Sequence, residues 1–206
     1  MNQASLWEDV YATRREHELS WYQARPDTSL RLISQLGIRP ADAIIDVGGG
    51  VSDLVDHLLN LGFLNTTVLD LSRTALTSVK ARLGTRAEDV HWLAGDITRL
   101  KLAGPYQLWH DRAVFHFLTD PQDRANYVST LLNAVPVGAH AILATFADDG
   151  PEKCSNLPVC RYNPEQLSAE LGDGFALLKS LRETHVTPSQ GHQKFIYCCF
   201  RRRSGC

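Results

Sequence analysis

Three aspartates, Asp46, Asp70 and Asp96, each stand where an apolar run stops. Asp46 precedes the glycines Gly48, Gly49 and Gly50 by one residue, Asp70 is followed by Leu71, and Asp96 sits between Gly95 and Ile97. A carboxylate is costly inside a sheet and cheap only where a strand end opens on a cleft, so acids repeated at strand ends are poorly explained by folding alone. Their chemistry is acceptance of hydrogen bonds and pairing with cations. The glycines add a tight turn and let a ligand approach the backbone where a side chain would block it.

The surrounding pattern supplies the elements that hold these groups. Ala43–Val47 reads as a buried strand, and Leu54, Val55, Leu58 and Leu59 continue it as a helix from about Asp53 to Leu61. Thr66–Asp70 is a second strand, with Ser72 capping a helix that runs to about Leu83. Val90–Ala94, Tyr106–Asp111 and Ala139–Phe146 are further strands, and the last is apolar enough to be central. A helix from Pro121 to Ala134 follows a cap at Asp120 or Thr119, and Asn163 caps a short helix opened by Pro164. Phe175–Val186 and Gln193–Arg202 read as long strands joined in hairpin fashion. The prediction is an α/β fold, a doubly wound seven-stranded mostly parallel sheet with a C-terminal antiparallel hairpin.

With 206 residues, one domain is expected over 1–206: an N-terminal arm and helix at 1–40, a ligand-binding core at 41–147, and a substrate loop with the hairpin at 148–206. In the arm, Ser5 with Glu8 is a candidate capping box. A net charge of −2 argues against nucleic acid or a membrane surface as partner, and no apolar run reaches a membrane span. The oligomeric state is not legible. The N-terminus lacks a basic start and apolar core, and the five cysteines are odd in number and uneven, so a reducing cytoplasm is expected. The spacings of Cys154, Cys160, His185 and His192 match no zinc signature, and no metal site is expected.

A nicotinamide dinucleotide is the first candidate ligand, and a nicotinamide-dependent reductase stays open as an alternative. Its G-x-G-x-x-G turn would need glycine where Asp53 stands, and that acid would oppose a pyrophosphate. The motif that does fit is Asp46-x-Gly48-x-Gly50 with acids at the next strand ends. In order and spacing over about residues 40–200 the chain resembles the class I (Rossmann-like) S-adenosylmethionine-dependent methyltransferases. The resemblance implies S-adenosyl-L-methionine as cofactor, with Asp46, Gly48, Gly49 and Gly50 at its methionine part. It also implies Asp70 at the ribose, Leu71 beside it as a cofactor contact, and Asp96 and Ile97 at the adenine. It places Asp111 at the strand end bordering both cofactor and substrate. A zwitterionic amino acid and a sulfonium suit close backbone and a carboxylate without any phosphate cradle.

His110 and His116 are candidate proton acceptors, since neutral imidazole titrates near physiological pH. Arg112 either pairs with Asp111 or Asp123 or meets substrate. Methyl transfer needs no strong base when the acceptor is soft, because alignment supplies much of the rate. In the arm, Tyr11, Trp21 and Tyr22 could close over the cofactor and shield its sulfonium. Trp21 is a candidate cofactor contact, and Tyr22, Arg112, Cys154 and His185 are candidate substrate contacts. With no inserted domain and no basic face, the expected acceptor is a small molecule, possibly a thiol or similar soft nucleophile. A Trp21-Tyr22 arm also resembles some protein lysine methyltransferases, so a protein lysine is the alternative.

Overall fold

Ile44 and Ile45 pack on opposite faces of one strand, and the rest of the molecule follows from that alternation. The computed structural model describes residues 3–102 and 104–204. Met1, Asn2, Gly205 and Cys206, at the ends of the expected 1–206 span, lie outside the described residues. Helix α1 (Gln3–Thr13) is followed by α2 (Asp27–Gln35), β1 (Ile44–Val47), α3 (Leu54–Asn60), β2 (Thr66–Asp70), α4 (Arg73–Leu83), β3 (Val90–Ala94) and β4 (Leu108–Arg112). Then come α5 (Pro121–Ala134), β5 (His140–Phe146), the short pair β6 (Lys153–Cys154) and β7 (Leu157–Pro158), α6 (Pro164–Leu171), β8 (Phe175–Val186) and β9 (His192–Arg202).

The main sheet runs β3-β2-β1-β4-β5-β9-β8, and its first five strands are parallel. β9 is antiparallel to both neighbours, so the last strand is inserted between β5 and β8. The seven-stranded α/β sheet with its C-terminal antiparallel pair is thus present. The 2-residue strands β6 and β7 inside the expected loop are an addition, too short to carry a periodic signal. Ile45, Trp109 and Leu143 face Tyr127 and Leu131 of α5, while Ile44, Leu108 and Ile142 face Leu30 of α2 and Leu58 of α3. The chain leaves β1 toward β2 on one side and β4 lies on the other, so the switch point opens at the carboxyl ends of β1 and β4. Among the described residues no helix is long and apolar enough to cross a membrane.

The arm is bound to this scaffold at several points, and Glu8 makes the first of them. α1 begins at Gln3, which puts Ser5 inside the helix, so the expected capping box with Glu8 does not form. Instead Glu8 caps α4, accepting from Ser72 Oγ at 2.8 Å and from the backbone N–H groups of Arg73 and Thr74 at 2.7 and 3.1 Å. A carboxylate suits that position because the N-terminus of a helix leaves backbone donors unpaired and carries partial positive charge. Desolvation raises the Glu8 pKa, but hydrogen bonds from Thr74, Ser72 and Arg73 outweigh it and hold the acid down at about 2. A depressed acid contributes stability present above its ordinary value and lost only as pH falls through about 2, so the arm stays docked at neutral pH. Glu8→Ala is expected to cost about 1–2 kcal/mol of this docking. Tryptic cleavage at the exposed Arg14 and Arg15 should then accelerate several-fold. An unchanged cleavage rate would show that Glu8 does not hold the arm.

Candidate functional site

The backbone turn after β1 is held by β2. The N–H groups of Gly48 and Gly49 both donate to the Leu69 carbonyl, at 2.7 and 3.1 Å. Gly48 and Gly50 have φ of +69° and +51°, the left-handed region that residues with a Cβ avoid. Space enforces the same choice. A Cβ on Gly48 would overlap the Val114 side chain, and one on Gly50 would stand 2.6 Å from the Tyr11 hydroxyl. Gly49 has no room either, since a Cβ there would stand 2.6 Å from Val68 Cγ1 and 2.9 Å from Asp46 Oδ2.

Two cavities flank this turn. The first is lined by Asp70, Leu71, Asp96 and Ile97 on one side and by Trp7, Trp21, Phe117 and Cys154 on the other. The second is lined by Asp46, Gly49, Ser29, His110 and Tyr22. Gly48, Trp21 and Arg112 belong to both, so the cavities meet at the turn beneath Trp21. The rings of Trp7, Tyr11, Trp21 and Phe117 pack on one another with centroids 5.2–6.3 Å apart and roof the first cavity. Sequence reading found Tyr11 and Trp21 but not Trp7 or Phe117. Both are aromatic residues beside motifs already singled out, and only the tertiary approach of α1 to the β4 end joins them.

The acids differ in their partners. Asp70 is fully buried, and desolvation pushes its pKa up to about 6 although the backbone N–H groups of Ser72, Gly50 and Leu71 support the charge. Ser72 N–H donates to Asp70 Oδ1 at 2.8 Å, which leaves acceptor capacity toward the cavity. Asp46 Oδ1 pairs with His110 Nδ1 at 2.7 Å, and His110 Nε2 meets Ser29 Oγ at 2.9 Å. Asp46 Oδ1 is an acceptor, so Nδ1 carries a proton toward it, and both ring nitrogens of His110 are engaged. Asp96 Oδ1 accepts from the Thr98 N–H at 2.9 Å and from its hydroxyl at 2.7 Å, an Asx turn that presents the acid at the cavity rim.

No protein-family model matches the chain. The solved structure of an enzyme in the conversion of a disulfide bond into a thioacetal group during echinomycin biosynthesis superposes with a TM-score of 0.80. It shares 18% identity and covers 98% of this chain and 94% of its own. Burkholderia thailandensis 1,6-didemethyltoxoflavin-N1-methyltransferase, bound to its acceptor and S-adenosylhomocysteine, superposes at 0.75 with 18% identity, over 98% of this chain and 89% of that one. The chain has the class I methyltransferase fold. In sequence it is similar to the eEF1A lysine and N-terminal methyltransferases of Danio rerio, 25% identical over 150 residues, and Mus musculus, 27% identical over 124. Those matches cover 71% and 58% of this chain but only 21% and 17% of the relatives, so the chain spans about a fifth of their length.

Within the methyltransferase fold four expected site residues take other roles. Asp111 is fully buried and points away from both cavities, accepting from Tyr127 Oη at 2.5 Å and from the N–H groups of Val114 and Phe115. Burial pushes its pKa up to about 6 against those hydrogen bonds, and its work is to shape the turn after β4. His116 is also fully buried and outside the cavities. Its Nδ1 accepts the Phe146 N–H at 3.2 Å, which puts the proton on Nε2. Burial, with Arg112 nearby, drives its pKa down to about 3, so it is a neutral core imidazole and not a proton acceptor for substrate.

His110 lines the second cavity with both nitrogens engaged, so it positions Asp46 and is not a free base. His185 lies outside both cavities. It donates from Nε2 to the Ser20 carbonyl at 2.8 Å and so fastens the arm to β8. Arg112 pairs with neither expected aspartate: Nε donates to Tyr197 Oη at 3.0 Å and Nη1 to the Trp21 carbonyl at 3.0 Å. Cys154 lines the first cavity, and burial pushes its thiol up to about 11, so it is a neutral wall and not a nucleophile.

Proposed function

We propose that this chain is an S-adenosyl-L-methionine-dependent methyltransferase acting on a small-molecule acceptor, with a thiol or similar soft nucleophile preferred. The carrying observation is that Asp46, Asp70 and Asp96 line two cavities joined at a glycine turn that admits no side chain. On this reading the first cavity takes the adenosine, with Asp70 accepting from the ribose hydroxyls and Ile97 packing on the ring, while the second takes the methionine end against Asp46. Trp21 and Phe117 border the methyl position, where aromatic faces favour the sulfonium and exclude water. The chain's own contribution to transfer is alignment and a dry cavity, which fits a lining with no free histidine among the described residues. The neighbour acting in echinomycin biosynthesis on a disulfide supports a sulfur acceptor here.

A protein lysine is the second reading, and the named activity of the sequence relatives favours it. Calorimetry separates the cofactor readings. S-adenosylhomocysteine is expected to bind with micromolar or tighter affinity, and tight NADH binding with none of S-adenosylhomocysteine would instead establish the reductase. Labelled cofactor offered to thiols, amines and protein then separates the acceptors, and methylation of protein alone would overturn the small-molecule reading.

A further inference from the structure

Arg112 is a cation built into the wall between the two cavities, and one of its donors is unspent. Its guanidinium lies 4.6 Å from the Phe195 ring centroid and is pinned by Tyr197 Oη and the Trp21 carbonyl. Nη2 is buried without a partner among the described residues. A shielded charged donor left unpaired is unfavourable unless something arrives to accept from it. The nearby carboxylates are already committed. Glu183 accepts from Thr28 Oγ1 at 2.8 Å and from Tyr197 Oη at 3.0 Å, Asp46 holds His110, and Asp111 holds Tyr127. Asp70 and Asp96 stand across the first cavity, where the adenosine is placed. An ammonium entering beside Trp21 would therefore meet a fixed cation, and the carboxylates with acceptor capacity left, Asp46 and Asp70, are the ones assigned to the cofactor.

We propose that Arg112 Nη2 docks a carboxylate of the methyl acceptor, so that the acceptor is a small anionic molecule and not an ammonium. This deepens the methyltransferase reading and rests on it. The planar guanidinium fork, held at Nε and Nη1, presents Nη2 in one direction, which suits a carboxylate oxygen better than a flexible ammonium would. The acceptor's body then meets Trp7 and Phe117, while its nucleophile faces the methyl position.

The test uses the full chain saturated with S-adenosylhomocysteine and three probes, benzoate, benzyl alcohol and benzylamine, followed by ligand-detected NMR titration. Benzoate is expected to bind at least tenfold tighter than either other probe. Arg112→Gln should remove that preference while S-adenosylhomocysteine affinity falls by less than tenfold, the lost Trp21 anchor being common to all three probes. Arg112→Lys should retain part of it, and carries the comparison if the glutamine variant melts early. Benzoate binding no better than benzylamine overturns the proposal, as does benzoate binding unchanged in the variants. A tenfold loss of S-adenosylhomocysteine affinity in Arg112→Gln also overturns it, because Arg112 would then serve the cofactor's own carboxylate. Failure of the unaltered protein to bind S-adenosylhomocysteine strikes the methyltransferase reading itself and is read separately.

Discussion

Replacing Asp70 with asparagine is expected to raise the melting temperature of the ligand-free protein at pH 8 and to weaken S-adenosylhomocysteine binding by about a hundredfold or more. Both effects come from one buried carboxylate. Desolvation lifts its pKa from 3.8 to about 6, so its ionised form is destabilised in the folded state. For an acid raised in this way, the favourable contribution is complete below 3.8 and is lost as pH rises through about 6. At pH 8 the penalty is fully present, with a ceiling of about 3 kcal/mol from the separation of the two values. Asparagine keeps an oxygen for the Ser72 N–H and removes the charge, so the melt should rise by several degrees.

The ligand loses what the fold gains. Two ribose hydroxyls donating to a charged acceptor are worth about 1.5–3 kcal/mol each, and an amide offers one acceptor and a mismatched donor. Scanning calorimetry at pH 5 and pH 8, with titration of S-adenosylhomocysteine, reads both effects. The melting gain should shrink at pH 5, where Asp70 of the unaltered protein is mostly protonated, and cofactor affinity of that protein should climb between pH 5 and 7. An Asp70→Asn protein that binds S-adenosylhomocysteine normally would remove Asp70 from the ribose role.

Gly48→Ala has a second large expected effect, and it divides into two physical parts. The φ of +69° costs a residue with a Cβ about 1–2 kcal/mol, and overlap with the Val114 side chain adds about 1–3 kcal/mol. The turn is tied to the Leu69 carbonyl through two N–H groups, so it cannot shift without releasing them. The melting temperature should drop by several degrees, and S-adenosylhomocysteine affinity should fall at least tenfold because both cavities share Gly48. Val114→Ala in the same chain removes Cγ2 and leaves Cβ at 3.4 Å, an ordinary contact. The double variant should recover the steric part and keep the φ part, a coupling of about 1–3 kcal/mol. Strict additivity of the two substitutions would mean that overlap with Val114 is not what excludes alanine.

The amino-acid sequence by itself determined the alternation of strands and helices, the glycine turn and the three strand-end acids. Those features are local: side chains alternate every two residues in a strand, apolar positions recur near 3.6 in a helix, and glycine tolerates positive φ. The same locality explains what it left undecided. Along β4, His110 and Asp111 are equally polar neighbours that must face opposite sides, and only the register of the sheet says which side is which. Asp46 stands opposite His110 in the β1–β4 pairing, which turns His110 toward Asp46 and Ser29 and sends Asp111 toward Tyr127 and α5. A slip of one residue would exchange these roles.

Glu8 carried an equally local pattern, and its partners are Ser72, Arg73 and Thr74 across the fold. Arg112 found Trp21 and Tyr197, 91 and 85 residues away, in place of nearby aspartates. His116 lost its candidacy because β5 covers it, and burial keeps its imidazole neutral. The glycine turn and its acids were readable because their geometry is set by adjacent residues. The Arg112 donors and the rings that border the two cavities belong to the arm, to β4 and to the segment after it, and chain folding alone brings those segments together.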